Sequence, residues 1–137
     1  MNRNDLRELA RIRLKEAGVL LKNGNYEGAY YLCGYVVECG LKSCIAKQTR
    51  RYDFPNKKTV DKSYTHDLTT LVKTAGLERD LDKEMKSNRN FKVYWSIVKD
   101  WSEESRYEKH TEKEAQSLYF AVANRKQGVL QWIQRHW

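Results

Sequence analysis

The 137-residue chain is predicted to be all-α, a single domain over residues 1–137 folded as an antiparallel up-and-down helical bundle of about five helices. Three observations predict it. Apolar residues recur at three- and four-residue spacing in successive stretches, and no stretch alternates apolar and polar residues as a half-buried strand does. Helix stop and start signals, Asn23-Gly24-Asn25, Gly76, and Thr111 with Glu114, separate those stretches. The 40% hydrophobic fraction suffices for a folded core, while 32% charged residues give it a wet surface.

Asn2 or Asn4 caps a first helix whose buried stripe is Leu6, Leu9, Ala10, Leu14, Ala17, Leu20 and Leu21. Gly24 supplies the left-handed residue that ends it and Asn25 is placed to cap the next helix, so the two should form a tight hairpin. The second helix, residues 25–47, is the most apolar and regular part of the chain and is expected to be central. Tyr26, Ala29, Tyr30, Cys33, Val37, Leu41 and Cys44 share one of its faces. Gly28, Gly34 and Gly40 each weaken an isolated helix by about 1 kcal/mol relative to Ala. Close approach of another helix backbone at Gly34 and Gly40 is the expected compensation. Glu38 has two readings: a helical ion pair with Lys42 four residues on, or a partly buried carboxylate that positions an Arg from another helix or chain.

Residues 48–64 hold the only proline, Pro55, lack apolar periodicity and read as a loop. Thr65 then caps a short helix that turns Leu68, Leu71, Val72 and Ala75 inward and closes at Gly76, and His66 there reads as a packing or capping residue. A shorter helical segment surrounds Leu77, Leu81 and Met85. Phe91, Tyr94, Trp95, Val98 and Trp101 mark a helix with an aromatic face. Residues 102–110 form a connection. Thr111 and Glu114 make a capping box that opens a last helix near Glu112, which Ala115, Leu118, Tyr119, Val122, Val129 and Ile133 carry almost to the C-terminus.

Lys and Arg total 26 against 18 Asp and Glu, a formal charge of +8, which favours anionic partners such as RNA, DNA, nucleotides or an acidic protein. Cys33, Cys39 and Cys44 contain no CxxC pair and have no nearby His, so they read as reduced core thiols. No metal site and no cofactor is expected. The absence of a signal sequence and of an apolar run of about 20 residues predicts a cytoplasmic protein with no membrane contact. Phosphate-cradling glycine loops, HExxH and nucleophilic Ser or Cys motifs are missing.

Two stretches are candidates for ligand chemistry. Between residues 48 and 64, Arg50, Arg51, Lys57 and Lys58 surround Tyr52, a mixture suited to phosphate contact with base stacking, and equally to a solvated loop. The second is Arg106-Tyr107-Glu108-Lys109-His110.

The stretches 20–31 (LLKNGNYEGAYY), 37–42 (VECGLK), 65–68 (THDL) and Arg106-Tyr107 together resemble the HEPN domain family, in the order that family shows. The resemblance implies an up-and-down helical bundle that dimerises, with the active cleft of catalytic members at the dimer interface. Catalytic members use an Arg and a His with four to six residues between them for metal-independent RNA cleavage, a pattern from which this chain departs. Here Arg106 and His110 have three residues between them. What such cleavage needs is a base for the 2′-OH proton and a cation for the charge building on phosphate, roles His110 and Arg106 would fill.

The expectation is therefore a small cytosolic module, non-catalytic or diverged, that binds RNA, nucleotide or a partner protein as a homodimer. The alternative is a metal-independent endoribonuclease of toxin-antitoxin or defence type using Arg106 and His110, with a nucleotidyltransferase-type protein as partner. Anion contacts are expected at Arg50, Arg51, Tyr52, Lys57, Lys58 and Tyr107.

Overall fold

A computed structural model describes residues 1–51 and 57–137, the side chains of Arg50 and Arg51 excepted. Among these residues, eight α-helices and one 3₁₀ turn follow in order: α1 (Arg3–Lys22), α2 (Tyr26–Arg51), α3 (Lys57–Ser63), α4 (Leu68–Thr74), α5 (Glu78–Ser87), α6 (Arg89–Val98), the 3₁₀ turn Glu103–Tyr107, α7 (Glu112–Ala123) and α8 (Val129–Gln134). The class is all-α, as predicted, but the helices outnumber the five expected.

Local chemistry explains most boundaries. At the start of α1 the Asp5 amide donates to Asn2 Oδ1 at 2.9 Å and the Asn2 amide donates back to Asp5 Oδ2 at 3.1 Å. Its end is a Schellman motif: Gly24 has φ +78°, its amide donates to the Leu21 carbonyl, and the Asn25 amide to the Leu20 carbonyl at 2.9 Å. The same motif closes α4 at Gly76, φ +71°. The N-cap of α4 is Asp67, not Thr65, whose hydroxyl instead accepts from the Asp67 amide at 3.2 Å.

Two expectations need correction. Residues 48–64 are not simply a loop, because α2 continues to Arg51 and α3 occupies Lys57–Ser63. The last helix does not run through. The Asn124 side chain accepts from the amides of Lys126 and Gln127 at 3.0 and 2.9 Å, diverting the backbone from its helical path, and α8 restarts after Gly128. The apolar spacing continues across this break, from Val122 to Val129, so periodicity alone did not reveal it.

α2 is the axis. It packs against α1, α4, α7, α8 and the 3₁₀ turn. Enclosure on several sides buries Val36, Val37, Cys39, Leu41, Cys44 and Ile45 around its circumference rather than along one stripe. Burial pushes the Cys33 and Cys44 thiols up to about 12 and, with the neighbouring Glu38 carboxylate, the Cys39 thiol up to about 11, so all three stay protonated and unreactive at neutral pH. No described helix is long and apolar enough to cross a membrane.

The α2 glycines do admit close neighbours, but these are side chains and not helix backbone. A Cβ at Gly34 would lie inside the indole of Trp101, itself only 3% exposed, whereas one at Gly40 would meet Ile133 Cγ2 at 3.0 Å. Gly34→Ala should therefore lower stability by about 1–3 kcal/mol through overpacking, against the gain of about 1 kcal/mol that helix propensity predicts. Gly40→Ala should cost less. Urea titration of both variants checks the order, and a stabilised Gly34→Ala protein would mean that the indole does not sit there.

Candidate functional site

Glu38 lies in the middle of α2 and is 2% exposed. A carboxylate so placed is costly unless its charge and lone pairs are matched. Both oxygens are matched. Lys42 Nζ, one turn on, donates to Oε2 at 3.1 Å, and His66 Nδ1, in the segment entering α4, lies 2.9 Å from Oε1. Both sequence readings of Glu38 thus hold in part: the pair with Lys42 is present, and the carboxylate is buried and engages another segment, through a histidine instead of an arginine.

The network extends outward. His66 Nε2 is 3.1 Å from Glu103 Oε2 on the 3₁₀ turn, and Glu103 Oε1 is 3.5 Å from Arg106. The Arg106 guanidinium lies over the Tyr107 ring, 4.7 Å from its centroid. Arg106 remains 45% exposed in its side chain and Tyr107 is 77% exposed, so a cation and an aromatic face solvent side by side. Glu103 was not a sequence candidate, and no spacing rule connects residues 38, 66 and 103.

His110 belongs to a different cluster. Its ring stacks on Tyr30 of α2, with centroids 3.7 Å apart and planes 12° apart, and its Nδ1 is 3.2 Å from Glu114 Oε2. The side chain is 6% exposed, and Nε2 is shielded without a hydrogen-bond partner. Glu114 also serves the α7 cap, accepting from the Thr111 amide and hydroxyl. Hydrogen bonds from His110 and then Thr111 hold its carboxyl below the usual range. Burial, then the Glu114 and Glu108 carboxylates, raise the Tyr30 phenol. No hydrogen bond or ion pair joins Arg106 to His110.

Of the other predicted contacts, Lys57 and Lys58 are exposed on α3. The side chains of Arg50 and Arg51, with Tyr52, lie outside the described residues. An open cavity of about 740 Å³ between the start of α1, the second half of α2 and α3 has Leu6, Ile45 and Val60 among its walls, with Arg3, Lys42 and Tyr64. Its size is that of small-molecule sites.

The buried charge predicts a stability hierarchy. Lys42→Met leaves Glu38 short of a cation and should cost about 1–3 kcal/mol, less than a fully buried pair because Lys42 keeps 20% exposure. Adding Glu38→Leu should restore part of that loss. Denaturant titrations of the single and double variants decide it, and a double variant weaker than Lys42→Met would contradict the account.

Neither the curated proteins nor the solved structures yield a match to this chain. The family model of the HEPN domain matches residues 4–135, nearly the whole length, spanning the hairpin, the Glu38 network and the Arg106 turn. The chain belongs to the HEPN domain family.

Proposed function

We propose that this chain is a HEPN module that binds an anionic ligand, RNA or nucleotide, through Arg106 and Tyr107 without cleaving it. The observation that carries this reading is the placement of His110. A general base must come within about 2.6–3.2 Å of the proton it removes. His110 instead has one face on Tyr30, Nδ1 on Glu114 and a shielded Nε2. Arg106 and Tyr107 have what binding needs: an accessible guanidinium for phosphate and an accessible ring for a base.

Cleavage is the second reading, favoured by the exposed Arg106 and by His110 Nε2 on the same chain segment, which makes no hydrogen bond and only a long, 3.9 Å contact with Glu108. It requires His110 to leave Tyr30. Incubation of RNA with the protein in EDTA separates the two readings. The expected result is intact RNA, bound with an affinity that falls steeply with salt as phosphate contacts dictate. Arg106→Ala should weaken binding and flatten the salt slope, while Tyr107→Ala should cost about 1–3 kcal/mol with the slope unchanged. Cleavage lost on replacing either Arg106 or His110 would establish the ribonuclease.

Self-association is part of the proposal. The four Trp residues do not support it, because all are buried within the chain. Better support comes from α1, where Ile12 and Val19, two turns apart, are 45% and 54% exposed beside the α1–α2 hairpin. Sedimentation at micromolar concentration should give twice the chain mass of 16.3 kDa, and Val19→Glu should give the monomer. A wild-type protein sedimenting as a monomer would remove this part of the reading.

A further inference from the structure

His66 touches two carboxylates at once, one on each ring nitrogen: Glu38 at 2.9 Å and Glu103 at 3.1 Å. A neutral imidazole has one N–H and one lone pair, so with both carboxylates ionised only the doubly protonated ring bonds to both. Among the described residues, Glu38 of α2 and Glu103 of the 3₁₀ turn face it directly, Lys42 pairs with Glu38, Arg106 pairs with Glu103, and Asp67 is its chain neighbour at the start of α4. His66 is 43% exposed in its side chain, so solvent protons reach it.

We propose that His66 is a proton-controlled clasp that sets how freely Arg106 takes an anion, an inference that rests on the reading of Arg106 as the ligand contact. In the protonated state His66 holds one oxygen of Glu103, leaving Arg106 only a long, 3.5 Å contact with the other. When the ring loses a proton, the remaining one stays on Nδ1, because Glu38 is buried and losing that bond would leave its charge unmatched. The Nε2 lone pair then faces Glu103. Glu103, 32% exposed, is released toward the guanidinium three residues on, where it competes with an incoming phosphate. Anion affinity at Arg106 therefore falls as pH rises, and the 3₁₀ turn loosens from α2.

Two measurements between about pH 5 and about pH 8 test this, the range in which imidazoles titrate. The first is amide hydrogen exchange over residues 103–107, corrected for intrinsic rates. Protection should drop with rising pH in the wild type and be insensitive to pH in His66→Arg, whose fixed cation keeps both carboxylates, and in His66→Gln, which bonds only one. The second is binding of a labelled single-stranded RNA at low salt. The wild type should lose about two- to fivefold in affinity over the range, the size of an exposed ion pair. His66→Arg should stay at the low-pH value and His66→Gln at the high-pH value. The other histidines, His110 and His136, are present in all three proteins, so a wild-type pH dependence that survives in both variants overturns the clasp. Failure to bind RNA at any pH would sink the ligand reading alone. Exchange at 103–107 that ignores pH in the wild type would sink the clasp, whatever the RNA does.

Discussion

A carboxylate in the middle of the most buried helix is the constraint on which the arrangement of the site depends. Glu38 cannot be hydrated where it lies, and an unmatched charge there costs several kcal/mol. Lys42 on the same helix answers part of that demand, but its side chain reaches only one oxygen. The other is met by His66, which fixes the segment entering α4 against α2, and His66 in turn fixes the Glu103 turn. Two segments distant in sequence, the one entering α4 and the Glu103 turn, are thereby tied to one point on α2. The apolar core supplies most of the stability, while this polar chain sets where the turn bearing Arg106 sits.

The same helix solves a packing problem with glycine. α2 is enclosed by several neighbours, and large side chains all round it would hold them apart. Gly34 gives Trp101 its seat and Gly40 gives room to Ile133 and Leu130. The helix-propensity cost of these glycines is offset by the burial of large side chains they admit, an indole among them, worth several kcal/mol each. Trp101 in turn packs near Tyr31, with ring centroids 6.0 Å apart, so the glycine seat and Tyr31 of α2 hold the chain just before the 3₁₀ turn.

The two residues that resemble a catalytic pair are served by different structural needs. His110 completes the layer between α2 and the start of α7, where its ring covers Tyr30 and its nitrogen supports the carboxylate that caps α7. Arg106 has no such duty toward the core. It lies on Tyr107 and shares Glu103 with His66, half exposed, which leaves it available to an anion. A short spacing between Arg and His, with a capping box directly after the His, separates the two chemically: one is drawn into helix capping and the other stays at the surface.

The sequence by itself determined the all-α class, the α1–α2 hairpin, the capping box at Thr111, a cap at Asn2 or Asn4 and the central place of α2, because caps, left-handed glycines and apolar spacing act over a few residues. The family, too, was legible in short stretches around Gly24, Glu38, His66 and Arg106. The break at Asn124 was not, since an asparagine that turns the chain and one that faces solvent on a helix look alike in a periodic pattern. Nor was α3, whose seven residues carry too few apolar side chains to show a period. Only the tertiary structure decided that Glu38, His66, Glu103 and Arg106 form one chain of contacts and that His110 stands apart from it. Those pairings join residues up to 37 positions apart through side chains on different elements, and they are required by the burial of a charge that local sequence spacing does not reveal.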